Sequence, residues 1–320
     1  MRTTLDEELE RLLWPASATT ESAPSGNLLL AHYTSIGTLE KIIQNNEVWL
    51  SNPLNMNDLN ELRFGMREGV LAFRTHHGLM TACGNDEKRI TLLNYFDKKF
   101  QRYDLEHAFD TYVFCVSEHE PGNDDGVLSM WRGYGASGAG VAIVFDPTKF
   151  QKNERSPLII DKVAYINPEA QRHWMNERLD EIVVLVEGRN LGDRDLYSIA
   201  HYWLEKVKLF SLFTKHTGFD EEREWRVVYL KERDVETALV PMLGYAITNR
   251  GVEPKLKLKI APLPGIFADD LSLEKIVAKI ILGPSLSSVL ANSAVLRLLE
   301  VNGRTELSKR VVASTIPFRP

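Results

Sequence analysis

The run Thr111-Tyr-Val-Phe-Cys-Val-Ser117 constrains this chain more than any other segment. β-Branched and aromatic side chains fill it, which is the composition of a pleated, buried strand. A second such run, Gly140-Val-Ala-Ile-Val-Phe-Asp146, follows after the polar, glycine-rich stretch 118–138. Helical periodicity surrounds this strand pair. Leu62, Met66, Val70 and Phe73 recur at helical spacing within 58–99, and two further helices are predicted over 168–187 and 195–213. The second of these carries Ile199, Trp203, Val207 and Phe210 on one face. The pattern predicts an α+β fold with a mixed or antiparallel core sheet, interrupted by helical insertions near 58–110 and 168–213.

Shorter elements complete the reading. Leu28–Tyr33 reads as a buried strand, and Thr34-Ser35 supplies hydroxyls to cap a helix from Ile36 to Asn45. Strands are predicted at Glu47–Ser51, Ile159–Tyr165, Glu224–Leu230 and Ile276–Leu282, and a helix from Ser287 to Asn302. Lys255–Ile260 alternates strictly, so its leucines are expected in a core and its lysines in water. Residues 1–27 are read as an N-terminal helix and flexible linker, and 28–320 as one α+β domain.

At 320 residues and 44% hydrophobic composition, the chain can bury a full core. A formal charge of −6 does not favour broad coating of a phosphate polymer. Cys83 and Cys115, without Cys-x-x-Cys spacing, argue against a disulfide framework or thiolate zinc site. No apolar signal core opens the sequence, and no run reaches the ~20 apolar residues that span a bilayer. A cytoplasmic, non-membrane protein is expected.

Three stretches place uncommon polar residues at strand ends. The first joins His32-Tyr33-Thr34-Ser35 to Asn57-Asp58 and Glu61, where an imidazole and hydroxyls suit a sugar or phosphate; the plainer alternative is a core histidine and a capping turn. The second is Asp124–Gly135, where Trp131, Arg132 and Tyr134 can stack a flat ring. The alternative is a crossover loop with Trp131 in the core. The third is Phe219–Arg226. Read as a strand, it puts Glu222, Glu224 and Arg226 on one face, and a carboxylate there can stabilise positive charge at a sugar carbon. The alternative is an exposed acidic turn. Walker A, Rossmann, His-Glu-x-x-His and Gly-x-Ser-x-Gly motifs are missing.

Together these marks resemble the bacterial family known as domain of unknown function 2971. They are His32–Ser35, Val48–Ser51 leading to Asn57-Asp58 and Glu61, Met130–Gly135, Glu222–Arg226 and Ile280–Pro284, covering about 28–282. A second resemblance is to the His-Tyr-Glu pattern of ADP-ribosyltransferases. It implies that NAD is consumed, with His32 and Thr34 on its adenosine side, Tyr134 or Trp131 at nicotinamide, and Tyr33 and Arg132 also among the cofactor-binding residues. Glu224 would engage the ribose, with Glu222 completing a Glu-x-Glu pair. The acceptor would be protein, nucleic acid or water, in a toxin or phage-defence effector. Two alternatives stand beside it. One is a non-catalytic ligand-binding or protein-interaction module of a stress or defence system. The other is a metal-dependent nuclease using Asp58, Glu61, Asp124, Asp125 and Glu222.

Overall fold

The computed structural model describes residues 4–14, 27–56, 59–153, 155–248 and 250–318, the side chains of 59–61 excepted. Most of the expected linker, Asn57, Asp58 and the Glu61 side chain lie outside the described residues. The chain gathers into two compact units. One comprises the helix Leu5–Leu13 with Pro53–Thr111 and Val163–Asp220; the other comprises 27–52, Tyr112–Lys162 and the segment from Glu221 onward.

The first unit is built on the helices Leu59–Thr75, Asp86–Leu105, Pro168–Val186 and Asp193–Leu212. The N-terminal helix starts at a capping box, the Thr4 hydroxyl accepting from the Glu7 N–H while the Glu7 carboxylate accepts from the Thr4 N–H. The predicted stripe Leu62, Met66, Val70 and Phe73 is buried. Phe73 stacks on Phe96 with ring centroids 4.3 Å apart and reaches Trp203 at 6.3 Å. Gly69 sets how closely Leu59–Thr75 and Asp193–Leu212 approach. A Cβ there would lie 2.4 Å from Val207 Cγ1, and the Trp203 indole donates to the Gly69 carbonyl at 3.1 Å.

The second unit holds a largely antiparallel sheet. Its strands are β1 (Leu29–Thr34), β2 (Glu47–Ser51), β3 (Thr111–His119), β4 (Val141–Phe145) and β5 (Leu158–Lys162). The two-residue strands β6 (Ala164–Tyr165) and β7 (Thr214–Lys215) pair with each other in the helical unit. The sheet continues with β8 (Glu224–Leu230), β9 (Leu243–Thr248), β10 (Gly251–Lys259), β11 (Val277–Leu282) and β12 (Val311–Ala313). The order is β12-β11-β4-β1-β3-β2-β10-β9, with β8 joining β3 and β5 joining β8; β11 and β12 pair in parallel. This is the expected α+β class with a mixed, mainly antiparallel sheet.

The two sheet faces bury different side chains. On one, Leu30, Val141, Ile143, Phe114, Trp225, Tyr229 and Ile280 form the large core beneath the helices Ile36–Asn45 and Val289–Val301. On the other, Ala31, Tyr33, Ala142, Val144 and Ile281 pack against Met130 and Trp131. Strand alternation therefore decides which chemistry each polar residue can join.

Several expectations change. Lys255 is not in water: it is 9% exposed, and its ammonium reaches Glu253 at 3.1 Å and Ser51 at 2.8 Å. The hairpin partner β9 buries the edge that the alternation alone left open. The glycine-rich stretch after β3 contains the short helix Leu128–Gly133 instead of a plain loop. The predicted strand Ile159–Tyr165 splits at Val163, whose side chain is buried.

Gly69→Ala tests the helical packing. Helix propensity would favour alanine by ~1 kcal/mol, but the clash with Val207 is an overpacking cost of about 1–3 kcal/mol. A net lowering of the urea midpoint is expected, with an unchanged m-value; a raised midpoint would refute the close approach.

Candidate functional site

The site is assembled from the end of β3 upward. Strand β3 runs two residues beyond its apolar stretch, so Glu118 and His119 stand at its tip. Asn123 then folds the chain back: its Oδ1 accepts the N–H groups of Asp125 at 2.8 Å and Gly126 at 2.9 Å, a side-chain-closed turn. Gly126 has φ of +75°, and a Cβ there would meet the Trp131 indole at 2.9 Å and the Tyr33 hydroxyl at 3.0 Å. Val127 N–H donates to Tyr33 Oη at 2.9 Å, and Trp131 Nε1 donates to the Asp125 carbonyl at 2.8 Å. These bonds seat the helix Leu128–Gly133 on the sheet.

From the other side comes the turn before β8. Arg223 adopts a left-handed φ of +40°, and its carbonyl accepts from Glu118 N–H at 3.0 Å. The conformation is unfavourable for arginine and turns the chain sharply into β8. Between these parts lies a cleft of about 290 Å³, lined by Ser117, Glu118, His119, Glu120, Asn123, Val127, Met130 and Glu221–Arg223. Tyr134, 40% exposed, donates from its hydroxyl to Glu222 Oε1 at 2.9 Å.

The cleft is acidic, with Glu118, Glu120, Glu221 and Glu222 against Arg223. Glu118 is held in place, its Oε1 accepting from Lys162 Nζ at 2.5 Å and from Trp225 Nε1 at 3.1 Å. His119 is buried. Its Nε2 donates to the Asn123 carbonyl at 2.9 Å, which assigns the proton to Nε2 and a lone pair to Nδ1. Burial pushes its pKa down, partly opposed by the bond to Asn123, so the ring is neutral at pH 7.

The residues singled out from sequence are distributed as follows. Tyr134 and Glu222 meet at the cleft. Trp131 is fully buried, edge-on to Tyr33 with centroids 4.9 Å apart, and presents no free ring face. Tyr33 is buried with its hydroxyl engaged, and burial pushes its pKa up to about 12. Arg132 is exposed, its guanidinium 5.9 Å from the Phe318 ring. Thr34 ends β1, while the adjacent Ser35 caps the helix Ile36–Asn45, its Oγ accepting from Thr38 N–H. Glu222 and Arg223 precede β8, so strand alternation does not put Glu222 on a face with Glu224.

His32 and Glu224 are not gathered with them. His32 pairs across the sheet with Ile143 and lies tilted against the Phe114 ring, centroids 4.4 Å apart, both partners being members of the large core. Ser117, at the cleft, pairs with Ala31 of the opposite face. His32 therefore points away from the cleft, its Nδ1 donating to the Cys115 carbonyl at 2.9 Å. Burial lowers its pKa, and that hydrogen bond partly restores it. Glu224 alternates with Trp225 and so faces the cleft's side of the sheet, but it is buried and clasped by Arg226 at 2.8 and 3.1 Å. Asp124 is bonded to Lys279, and Asp125 to the backbone and hydroxyl of Thr315, which lower its pKa. Among the described residues, no group of three or more His, Cys, Asp or Glu side chains is placed to hold a metal ion. Nor is any helix among them long and apolar enough to cross a membrane.

Two cleft residues, Glu118 and His119, escaped the sequence reading. The available signal was their place directly after the strongest strand run, where a sheet presents side chains to ligands. A family model described as a protein of unknown function, DUF2971, matches residues 130–227, which include Tyr134 and Glu222. No curated protein and no solved structure matches the chain.

Buried His119 and half-buried His32 make a pH prediction. Both have folded pKa values below the ordinary 6.5, so the unfolded chain takes up their protons first. Stability from this source is complete above that value and is lost as pH falls through the folded values. The melting temperature should drop between pH 7 and pH 5, and less so in His32→Gln and His119→Gln. Unchanged slopes in both variants would contradict the assignment.

Proposed function

We propose that the acidic cleft receives the nicotinamide-ribose end of NAD or a related nucleotide and that the protein cleaves its N-glycosidic bond. The observation that carries this reading is the Tyr134–Glu222 hydrogen bond at the cleft. In such a cleavage the bond from ribose C1′ to the ring nitrogen breaks and its electron pair neutralises the nicotinamide. Positive charge then develops at C1′, and a fixed carboxylate beside it stabilises the transition state. Glu222 suits that role better than Glu224, whose oxygens are both engaged by Arg226. The carboxylate-rich lining favours the cationic nicotinamide ring over the pyrophosphate.

His119 offers Nδ1 as the base that takes the proton from the attacking hydroxyl, whether on a protein, a nucleic acid or water. Its depressed pKa keeps that lone pair available at neutral pH. His32, turned into the core, serves the fold in this scheme, and the ADP-ribosyltransferase pattern is kept only in its aromatic and its carboxylate.

A second reading has its own support. Because His32 and Glu224 are not brought to the cleft, the same residues also describe a non-catalytic ligand shell, as in a binding module of a stress or defence system. Nicotinamide release from NAD by the purified chain separates the two. Under the first reading Glu222→Gln lowers release by ~10²-fold or more, the scale for losing one transition-state electrostatic contact. Tyr134→Phe lowers it less, and His32→Gln leaves the rate of the folded fraction within about twofold, well under the tenfold that ~1.4 kcal/mol represents. No release, with retained ligand binding, favours the second reading; equal rates in wild type and Glu222→Gln overturn the first.

A further inference from the structure

Strand β11 is irregular beside the acidic cleft. Val277 pairs with Phe145 and Lys279 with Val144, so Ala278 is an extra residue, a β-bulge. Strict alternation would put Lys279 on the face of Val277, in the large core. The bulge puts it instead with Ile281, on the face that packs against Trp131. Bulges re-aim side chains, and here the re-aimed side chain is a cation with a defined seat.

The Lys279 ammonium sits among three oxygens of the turn that follows β3. It donates to the carbonyls of Pro121 at 3.3 Å and Asn123 at 3.4 Å, and it is paired with the Asp124 carboxylate. The Asn123 carbonyl is also the acceptor of His119 Nε2–H, at 2.9 Å. One oxygen thus receives both donors, and a carbonyl has a lone pair for each. Of the charges around the imidazole, Glu118, Glu120 and Asp124 come from its own strand and turn, Glu221, Glu222 and Arg223 from the turn before β8, and Lys279 from β11. A carboxylate behind the ring, as in a Ser-His-Asp triad, would stabilise the imidazolium. A carbonyl held by an ammonium favours the neutral ring. Burial is the main reason that the His119 pKa is low; the Lys279 charge adds to the lowering, while Asp124 and Glu120 oppose it.

We infer that Lys279 is the positioning residue of His119: its ammonium fixes the Asn123 carbonyl and with it the Nε2–H tautomer that leaves the Nδ1 lone pair free. The inference rests on the glycosidic reading only in giving that lone pair a proton to take; the placement of the ring does not depend on it.

The test is an NMR titration of the full chain labelled with ¹⁵N-histidine, the His119 signals being assigned by their loss in His119→Gln. In the wild type at neutral pH, Nδ1 should show the shift of an unprotonated nitrogen and Nε2 that of a protonated one. Lys279→Met should move both shifts toward the average of the two tautomers and raise the titration midpoint, and Lys279→Arg, which keeps the charge, should restore both. Asp124→Asn removes a negative charge from the same turn and should move the midpoint down. A merely structural role would shift Lys279→Met and Asp124→Asn in the same direction. Wild-type shifts and midpoint in Lys279→Met, or a common direction in the two variants, overturn the inference. If nicotinamide is released, the acid limb of kcat/KM should rise with the NMR midpoint in Lys279→Met. Absence of release overturns the glycosidic reading alone, because the NMR titration decides the role of Lys279 without a substrate.

Discussion

The seating of the Trp131 indole against β1 governs the geometry of the acidic cleft. The ring is fully buried, edge-on to Tyr33, and its one polar atom is satisfied by the Asp125 carbonyl. Tyr33 in turn holds the start of the next helix through Val127 N–H. Asp125 extends the connection to the C-terminal segment through Thr315. Each polar group buried by this packing finds a partner, which is the condition for burying it at all. Met130 and Val127, carried on the same turn, then become the cleft's apolar wall.

The sheet separates two kinds of polar residue. Those at strand ends or in the flanking turns, Glu118, His119, Glu222 and Tyr134, meet at a cavity. Those within strands are committed to structure. Glu224 and Arg226 form a bidentate pair in the sheet interior, an arrangement in which loss of one partner leaves an unmatched buried charge, at a cost of about 3–5 kcal/mol. His32 is similarly engaged, by the Cys115 carbonyl and the Phe114 ring. A residue's rarity in the sequence therefore says less about its role than its height along the strand does.

Much of the fold was legible in the chain. The runs at Thr111–Ser117 and Gly140–Asp146 and the stripe from Leu62 to Phe73 became strands and a helix because local period and burial agree there. Strands β9 and β12 were not legible: β12 is three residues long, and β9 owes its place to pairing with β10. Lys255 looked solvated because alternation describes one strand, whereas its burial depends on Glu253 of β10 and Ser51 of β2. At the site, Tyr134 and Glu222 were both singled out. Their meeting across 88 positions was not deducible, because a hydrogen bond at that separation is set by the path of the whole sheet.

The sequence by itself determined the fold class, the positions of most helices and strands, and the stock of carboxylates and aromatics from which a site can be made. These follow from side-chain shape and period, which act over a few neighbouring residues. Only the tertiary structure decided that Trp131 is a support instead of a stacking surface, that His32 turns away from the cleft, and that Lys279 reaches the Asn123 carbonyl. Those outcomes depend on which face of the sheet a strand presents and on which distant backbone supplies a hydrogen bond. Neither quantity is a property of any local stretch of chain.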